Sequence, residues 1–167
     1  MLKPIDPKKL NANVFFMLDD QWALITAGNR ENCNTMTASW GGLGILWNKP
    51  VATIYLRPQR YTKTFVDREE YFTVAFFGAD YHGALELCGA KSGREVDKVN
   101  ECGFSIAYGE GDAPYFQEAE LVFICKKLYR DSIKPQCFLD SAPEDCYPKK
   151  DYHDLYIGEI VAALQNS

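Results

Sequence analysis

The sequence predicts a mainly β fold: a small, closed or partly closed antiparallel barrel with short crossover helices. Three observations carry that expectation. Six or seven short segments are rich in β-branched and aromatic residues, several with alternating apolar and polar positions. Gly and Pro fall between them as punctuation, with no low-complexity tract and no internal repeat. The helical stretches are too few for the regular βαβ alternation of a doubly wound sheet. Of 167 residues, 47% are apolar and 14% aromatic, so one domain over 1–167 can bury its own core, and disordered or collagen-like classes are excluded.

Residues 1–20, with Pro4 and Pro7 ahead of Lys8 and Lys9, read as an N-terminal lead-in. Trp22–Ala27 reads as a strand closed by the turn signal Gly28-Asn29. Asn34–Trp40 alternates, with Thr35, Thr37 and Ser39 on one face and Met36, Ala38 and Trp40 on the other, which is strand periodicity. Gly41-Gly42-Leu43-Gly44 is expected to break it. Val51–Arg57 is the next strand, ended by Pro58, and Thr62 is placed to N-cap a helix over Lys63–Arg68. Tyr71–Phe77 is a strand bounded by Gly78, and Tyr81–Cys88 is a helix stopped near Gly89. Ser92 and Glu95 fit a capping box that opens a helix to about Cys102, with Gly103 at its end. Phe104–Tyr108, Ala119–Tyr129 and Tyr156–Leu164 complete the strands, while 131–153, holding Pro135, Pro143 and Pro148, reads as a loop.

The 18 Lys and Arg against 23 Asp and Glu leave a net charge of −5, a poor balance for nucleic acid, where clustered cations must meet phosphates. No apolar run approaches the roughly 18 residues needed to span a bilayer. No apolar h-region opens the chain, so the cytoplasm is the expected location. The six cysteines form no Cys-x-x-Cys pair and have only His82 and His153 beside them, so no metal site is expected. They read as small buried apolar residues, with Cys33 and Cys125 the two to examine for redox chemistry.

The charge is uneven. Between Asn32 and Val66 there is no acidic residue, and Lys49, Arg57, Arg60 and Lys63 make a positive window. No Gly-x-Gly-x-x-Gly, no P-loop and no Gly-x-Ser-x-Gly elbow is present, so an anionic ligand there is held by other means. The short polar side chains Asn34, Thr35, Thr37 and Ser39 can satisfy the edge of a planar ring or the oxygens of a phosphate. Arg57 and Arg60, with Tyr61 and Thr62 just ahead of a helix start, supply guanidinium forks that match phosphate. Ordinary strand hydroxyls and solvated arginines explain either segment alone; both together in an acid-free window favour a ligand. Lys49 and Lys63 read as bystanders.

Asn34-Thr-Met-Thr-Ala-Ser-Trp-Gly-Gly42, Lys49-Pro50 and Arg57-Pro-Gln-Arg-Tyr-Thr62 resemble the flavin reductase-like family of FMN-binding split barrels, closest to its flavoredoxin-like branch. Ser92-Gly-Arg-Glu-Val-Asp-Lys98, Glu118-Ala-Glu-Leu121 with Cys125-Lys-Lys-Leu-Tyr129, and Tyr152-His-Asp-Leu-Tyr-Ile-Gly-Glu-Ile160 fit the same branch. The resemblance runs from Trp22 to Leu164. It implies a six-stranded antiparallel FMN-binding split barrel, with FMN held at a homodimer interface. By position, Asn34, Thr35, Thr37, Ser39 and Trp40, with Met36 and Ala38 between them, would lie along the flavin and its ribityl chain. Arg57, Arg60, Tyr61 and Thr62 would take the phosphate end, and Lys98 would approach the ring system. His153 matches the family's C-terminal histidine, near the flavin or the incoming nicotinamide, and takes the catalytic role. Reduction places negative charge on one side of the ring, which a cation such as Lys98 or a donor such as His153 stabilises. Asp151 and Asp154 beside His153 are expected to favour a charged imidazole. The implied activity is an oxidoreductase passing electrons from NAD(P)H to bound or free flavin. A flavoredoxin-like carrier fed by a redox partner protein, and a non-catalytic flavin-binding module, stay open as alternatives.

Overall fold

The structure is a computed structural model and describes residues 1–166. Strand β1 (Leu2–Ile5) is followed by a helical turn α1 (Val14–Phe16), capped by the Asn13 side chain and running on into a wider turn over Met17–Gln21. Then come β2 (Ala23–Gly28), β3 (Cys33–Ala38), β4 (Gly41–Leu46) and β5 (Lys49–Leu56). Helix α2 (Tyr61–Arg68) leads to β6 (Tyr71–Phe76), and helices α3 (His82–Ala90) and α4 (Lys98–Cys102) lead to the ribbon β7 (Ile106–Tyr108) and β8 (Pro114–Phe116). The long pair β9 (Leu121–Ser132) and β10 (Asp154–Asn166) completes the fold.

The fold is mainly β and antiparallel, as the sequence predicts, but the strand count differs. Eight strands form one sheet in the order β3-β2-β6-β9-β10-β5-β4, with β1 on the far end of β10, and β7–β8 stands apart. Six were expected in a closed or partly closed barrel; the sheet is not closed, and β3 and β4 are its open edges. The additions have physical origins. β1 pairs Leu2–Ile5 with Ala163–Asn166, beyond the stretch of β10 that β5 covers. The glycines expected to break the chain instead run as β4, with Gly41 opposite Ile54 and Leu46 opposite Lys49. At Gly41 a Cβ would meet Thr53 O at 3.0 Å, so glycine lets the two backbones approach. The two-residue turn Trp47-Asn48 has φ of +50° and +60°, the positive-φ geometry that suits the twist of a hairpin.

Alternation builds two cores on opposite faces of the sheet. Ile25, Phe72, Val74, Phe123, Cys125 and Tyr156 fill the inner one with Phe65 and Val66 of α2. On the other face Leu24, Ala75, Val122 and Ile124 meet Leu85 and Cys88 of α3 with Phe104 and Phe116. The pairing of β9 with β10 is interrupted twice, with Leu128 the extra residue on β9 and Val161 on β10. Beyond Val161 the buried positions of β10 shift from Tyr156, Gly158 and Ile160 to Ala163. Gly158 sits where a Cβ would lie 2.7 Å from the Phe72 ring, so the inner core closes over it only because it is glycine.

Two expected helix starts are displaced. Helix α2 begins at Tyr61 without a side-chain cap, and Thr62 Oγ1 instead accepts from Asn34 Nδ2 at 2.9 Å. Ser92 Oγ accepts from Arg94 N within a turn, and the real cap is Asp97, whose Oδ1 accepts from Asn100 N at 3.1 Å. From Ser92 the chain makes a turn, with Glu95 N and Val96 N both donating to Ser92 O, and Gly93 packs onto Asn34, where a Cβ would lie 1.9 Å from Oδ1. Helix α2 is pinned to β10 by a partly buried charge cluster around Asp154. Lys63 Nζ lies 2.7 Å from Asp67 and 2.9 Å from Asp154, and Tyr156 Oη donates to Asp67 Oδ1 at 2.6 Å. Burial works against ionisation of Asp154, yet hydrogen bonds from Lys63, Ser132 and Arg130 hold its carboxyl at about 2. Lys63 and Lys49, the latter paired with Glu159 at 2.6 Å, thus serve the scaffold. No helix among the described residues is long and apolar enough to cross a membrane.

Candidate functional site

β3 is an edge strand, so the groups along its outer side have no neighbouring strand. Two cations take that place. Lys98 Nζ donates to Thr35 O at 2.8 Å and to Cys88 O at 2.7 Å. Arg60 donates through Nη1 to Gly89 O at 2.8 Å and through Nη2 to Thr37 O at 3.3 Å. Both therefore meet the last carbonyls of α3, the negative end of its dipole, and fasten that helix to β3. A cleft lies on the side of each cation.

The first cleft, of about 390 Å³, is lined by Met36, Thr37 and Ala38 of β3 with the following Ser39 and Trp40. Tyr55 of β5, the link residues Arg57, Gln59 and Arg60, and His153 ahead of β10 complete it. Eight residues singled out in the sequence thus meet here: Met36, Thr37, Ala38, Ser39, Trp40, Arg57, Arg60 and His153. Tyr55 and Gln59 were missed, although both were findable. Tyr55 is two residues from Arg57 on the same strand face, and Gln59 sits inside the Arg57–Thr62 segment.

His153 is 7% exposed, with the Trp40 ring centroid 5.2 Å away and Tyr55 edge-on at 6.4 Å. Its Nδ1 lies 2.8 Å from Tyr147 Oη. Burial foremost, then Arg57, brings its pKa down to about 4 against the pull of Asp151, so the imidazole is neutral at pH 7. The expected charged imidazole is therefore corrected. Asp154 turns away to Lys63 and Arg130, and burial outweighs Asp151. Arg57 Nη1 stands 2.8 Å from Asp151 Oδ1, and its Nη2 donates to Cys146 O at 3.0 Å. Gln59 Nε2 donates to Asp151 Oδ2 at 2.7 Å. Asp151 Oδ1 is buried without an aligned hydrogen bond, so it meets Arg57 as an ion pair by charge alone.

The second cleft, of about 640 Å³, takes in Asn34, Thr35 and Lys98 with Cys33, Arg94 and Asp97. Lys98 is 5% exposed, and burial above all brings its pKa down to about 8. Thr35 Oγ1 contacts Thr26 Oγ1 at 2.9 Å and donates to Ile25 O, while Thr37 Oγ1 donates to Leu85 O. The predicted row of hydroxyls is thus engaged within the fold; among the described residues Ser39 has no such partner. Tyr61 and Thr62 line neither cleft: the Tyr61 ring lies under Arg94 Cζ at 4.3 Å, and Thr62 holds Asn34.

The thiols divide sharply. Cys33 lines the second cleft with its thiol pushed to about 11 by burial and Asp97, and Cys125 is sealed in the inner core and pushed up further still. Cys88 and Cys102 bring their Sγ atoms to 3.8 Å. Cys137 and Cys146 are exposed, unlike the buried apolar role expected of the cysteines.

The first cleft thus joins an aromatic wall, a neutral imidazole and two guanidinium groups. Of five N–H donors on each arginine, the protein contacts occupy only part, so donors remain for an anion. Such a slot suits a planar ligand with an anionic tail.

A family model described as "Flavin reductase like domain" matches residues 18–167. No curated protein matches this sequence. Among solved structures, the chain is similar to a flavoredoxin from Methanosarcina acetivorans at 24% identity and a TM-score of 0.69, over 98% of this chain and 77% of that one. It is similar to an FMN-binding domain of a flavin reductases-like enzyme from Shewanella baltica OS155 at 18% identity and a TM-score of 0.71, over 99% and 77%. It is also similar to an NADH:FAD oxidoreductase from Streptomyces globisporus C-1027, in complex with NAD and FAD fragments, at 17% identity and a TM-score of 0.66, over 87% and 74%. At these identities the structural likeness is one of fold.

Proposed function

The chain belongs to the flavin reductase-like domain family, and on that footing we propose that it is an FMN-binding oxidoreductase passing electrons from NAD(P)H to bound or free flavin. One observation carries the reading: Trp40, Tyr55 and His153 form an aromatic wall in the same cleft as Arg57 and Arg60. The donor set fits FMN. Beyond the N–H groups given to Cys146 O, Gly89 O and Thr37 O, Arg57 and Arg60 keep donors that a phosphate can accept.

Bound FMN supplies the chemistry, accepting a hydride and passing electrons on. The chain's residues hold and tune it. Trp40 and Tyr55 keep water from one side of a planar ring. Arg57 and Arg60 hold the phosphate, with Ser39 and Gln59 as hydrogen-bonding neighbours. Neutral His153 offers a hydrogen bond where negative charge gathers on reduction, without bringing a charge of its own. Lys98 acts at one remove, by fixing Thr35 and α3, and so do Asn34 and Thr62 through their mutual contact. A homodimer goes with this reading. Ile45, Leu46 and Trp47 at the β4–β5 tip, with Leu128 and Tyr129 of β9, present apolar side chains to solvent that a second copy can cover. The location proposed is the cytoplasm.

A second reading has its own support. Arg57 and Arg60 are the cations lining the first cleft among the described residues, and FMN phosphate would occupy them. That leaves no further cation for nicotinamide phosphates and favours a flavoredoxin-like carrier fed by a partner protein. Anaerobic addition of NADH or NADPH to the yellow protein separates the two. Rapid bleaching of the flavin absorbance is the expected result. No bleaching with either nicotinamide removes the reductase reading and leaves the carrier, and a protein that cannot be loaded with FMN removes both.

A further inference from the structure

His153 has one ring nitrogen engaged and one open. Nδ1 lies 2.8 Å from Tyr147 Oη. Nε2 has no hydrogen-bond partner among the described residues, yet it is not one of the unpaired atoms sealed from solvent. It is therefore open to solvent, and His153 lines the first cleft. The proton of a neutral imidazole sits on one nitrogen or the other, and the contact made by the first decides what the second can do.

Here the contact has a direction. A buried tyrosine hydroxyl needs an acceptor, and Nδ1 is the acceptor Tyr147 Oη has. A phenol O–H is a better donor than a neutral imidazole N–H, and a bare imidazole nitrogen is a better acceptor than a phenol oxygen. Were Nδ1 to carry the proton, the Tyr147 hydroxyl hydrogen would be left buried without a partner. We propose that Tyr147 is a positioning residue: its hydroxyl donates to Nδ1, keeps the imidazole proton on Nε2, and makes His153 a hydrogen-bond donor into the first cleft.

Tyr147 is held for that role. It is 6% exposed, Arg57 Cζ lies 5.0 Å over its ring, and the Tyr152 ring lies 4.8 Å away. The β9–β10 connection that carries it also brings Cys146 O to Arg57. The use of the donor on a reduced flavin rests on the function proposed above; the tautomer does not.

The test is ¹⁵N NMR of the histidine ring nitrogens at pH 7, on the purified protein with and without its flavin. The chain has two histidines, and His82→Gln assigns the signals. The expected spectrum shows His153 Nε2 protonated and Nδ1 unprotonated, with Nδ1 shifted by an accepted hydrogen bond. Tyr147→Phe, which keeps the ring and removes only the hydroxyl, is expected to return Nδ1 towards the position of an unbonded nitrogen. In the flavin-loaded protein it is expected to slow nicotinamide bleaching several-fold at unchanged flavin content. A proton on Nδ1 in the unsubstituted protein, which needs no variant to fold, overturns the proposal. So does an Nδ1 signal that Tyr147→Phe leaves in place. A protein that shows the Nε2–H form but takes up no FMN sinks the flavin reading and not this one.

Discussion

At one end of β3, Asn34 and Thr35 lie beside Lys98; at the other, Thr37 to Trp40 lie beside Arg60. Each end has a cation donating to one β3 carbonyl and one α3 carbonyl. The outcome differs because the cations differ. Lys98 is nearly sealed, has two of its three donors engaged, and is pushed towards its neutral form. A guanidinium keeps its charge when half-buried and has five donors, so Arg60 can brace the fold and still face a ligand. The pairing teaches that a polar residue beside a cleft is a ligand candidate only in the donors its own fold leaves over.

The largest expected effects test that division directly. Arg60→Ala should weaken FMN retention by about 1–3 kcal/mol, roughly 5- to 150-fold, measured by fluorescence titration. Lys98→Met should leave retention nearly unchanged and lower the unfolding free energy by about 1–3 kcal/mol, because two carbonyls lose their donor. Equal flavin loss in both variants would break the comparison.

The pH dependence of stability sharpens it next. His153 has a folded pKa of about 4, against about 6.5 when unfolded, so the unfolded chain binds the extra proton between those values. Stability should therefore fall as pH drops through that window, by roughly 3 kcal/mol at most, and His153→Asn should flatten the curve in urea denaturation. Lys98 is the counterpart at the other end. Its folded pKa of about 8 lies below the usual value of about 10.4, so its contribution rises as pH rises between the two. Cys33 and Cys88, held high at about 11 and about 12, pull the opposite way in that range. The readout is therefore the difference between the parent protein and Lys98→Met.

Smaller effects separate neighbouring hydroxyls. Thr37→Val should cost about 1 kcal/mol of stability, since Leu85 O loses its donor, with little change in flavin affinity. Ser39→Ala should do the reverse, weakening retention by about 0.5–1.5 kcal/mol at constant stability. The mildest probe is alkylation followed by mass spectrometry. Cys137 and Cys146 should react first, Cys33 slowly and Cys125 last. Added FMN should not change the rate at Cys33; protection there would put the flavin in the second cleft.

The strands were legible where burial is periodic. β2, β3, β5 and β6 fall within about a residue or two of the expected spans, because alternation reports which face is covered. β4 was hidden because its glycines carry no periodic signal, and the reason for one of them, a Thr53 carbonyl, lies across the hairpin. The capping box at Ser92 was locally sound, but the segment makes a turn there and packs Gly93 onto Asn34, a residue far away in sequence, and the helix is capped by Asp97. The candidate site was legible in its residue types and only partly in their assignments. That Lys98 faces Thr35, 63 positions away, or that Tyr147 orients His153, is long-range geometry to which no local pattern points.

The extra residue on β10, Val161, also bears on how the chain can change length. Deleting Val161 itself would leave the pairing of β10 with β9 and β1 in place, because Ile160 and Ala162 already face the consecutive residues Cys125 and Ile124, whereas deleting Ala163 would turn the residues after it to the opposite face. Removing a residue near the fully exposed Leu139, within the 133–153 connection, moves no pairing at all. Over evolutionary time, insertions and deletions should therefore collect around Leu139, where the connection can vary in length while the two anchors nearest β10, Tyr147 and His153, stay put. The paired segment from Ala162 to Asn166 can exchange side chains but keeps its length, while the unpaired Val161 is the one position of β10 there that can be lost.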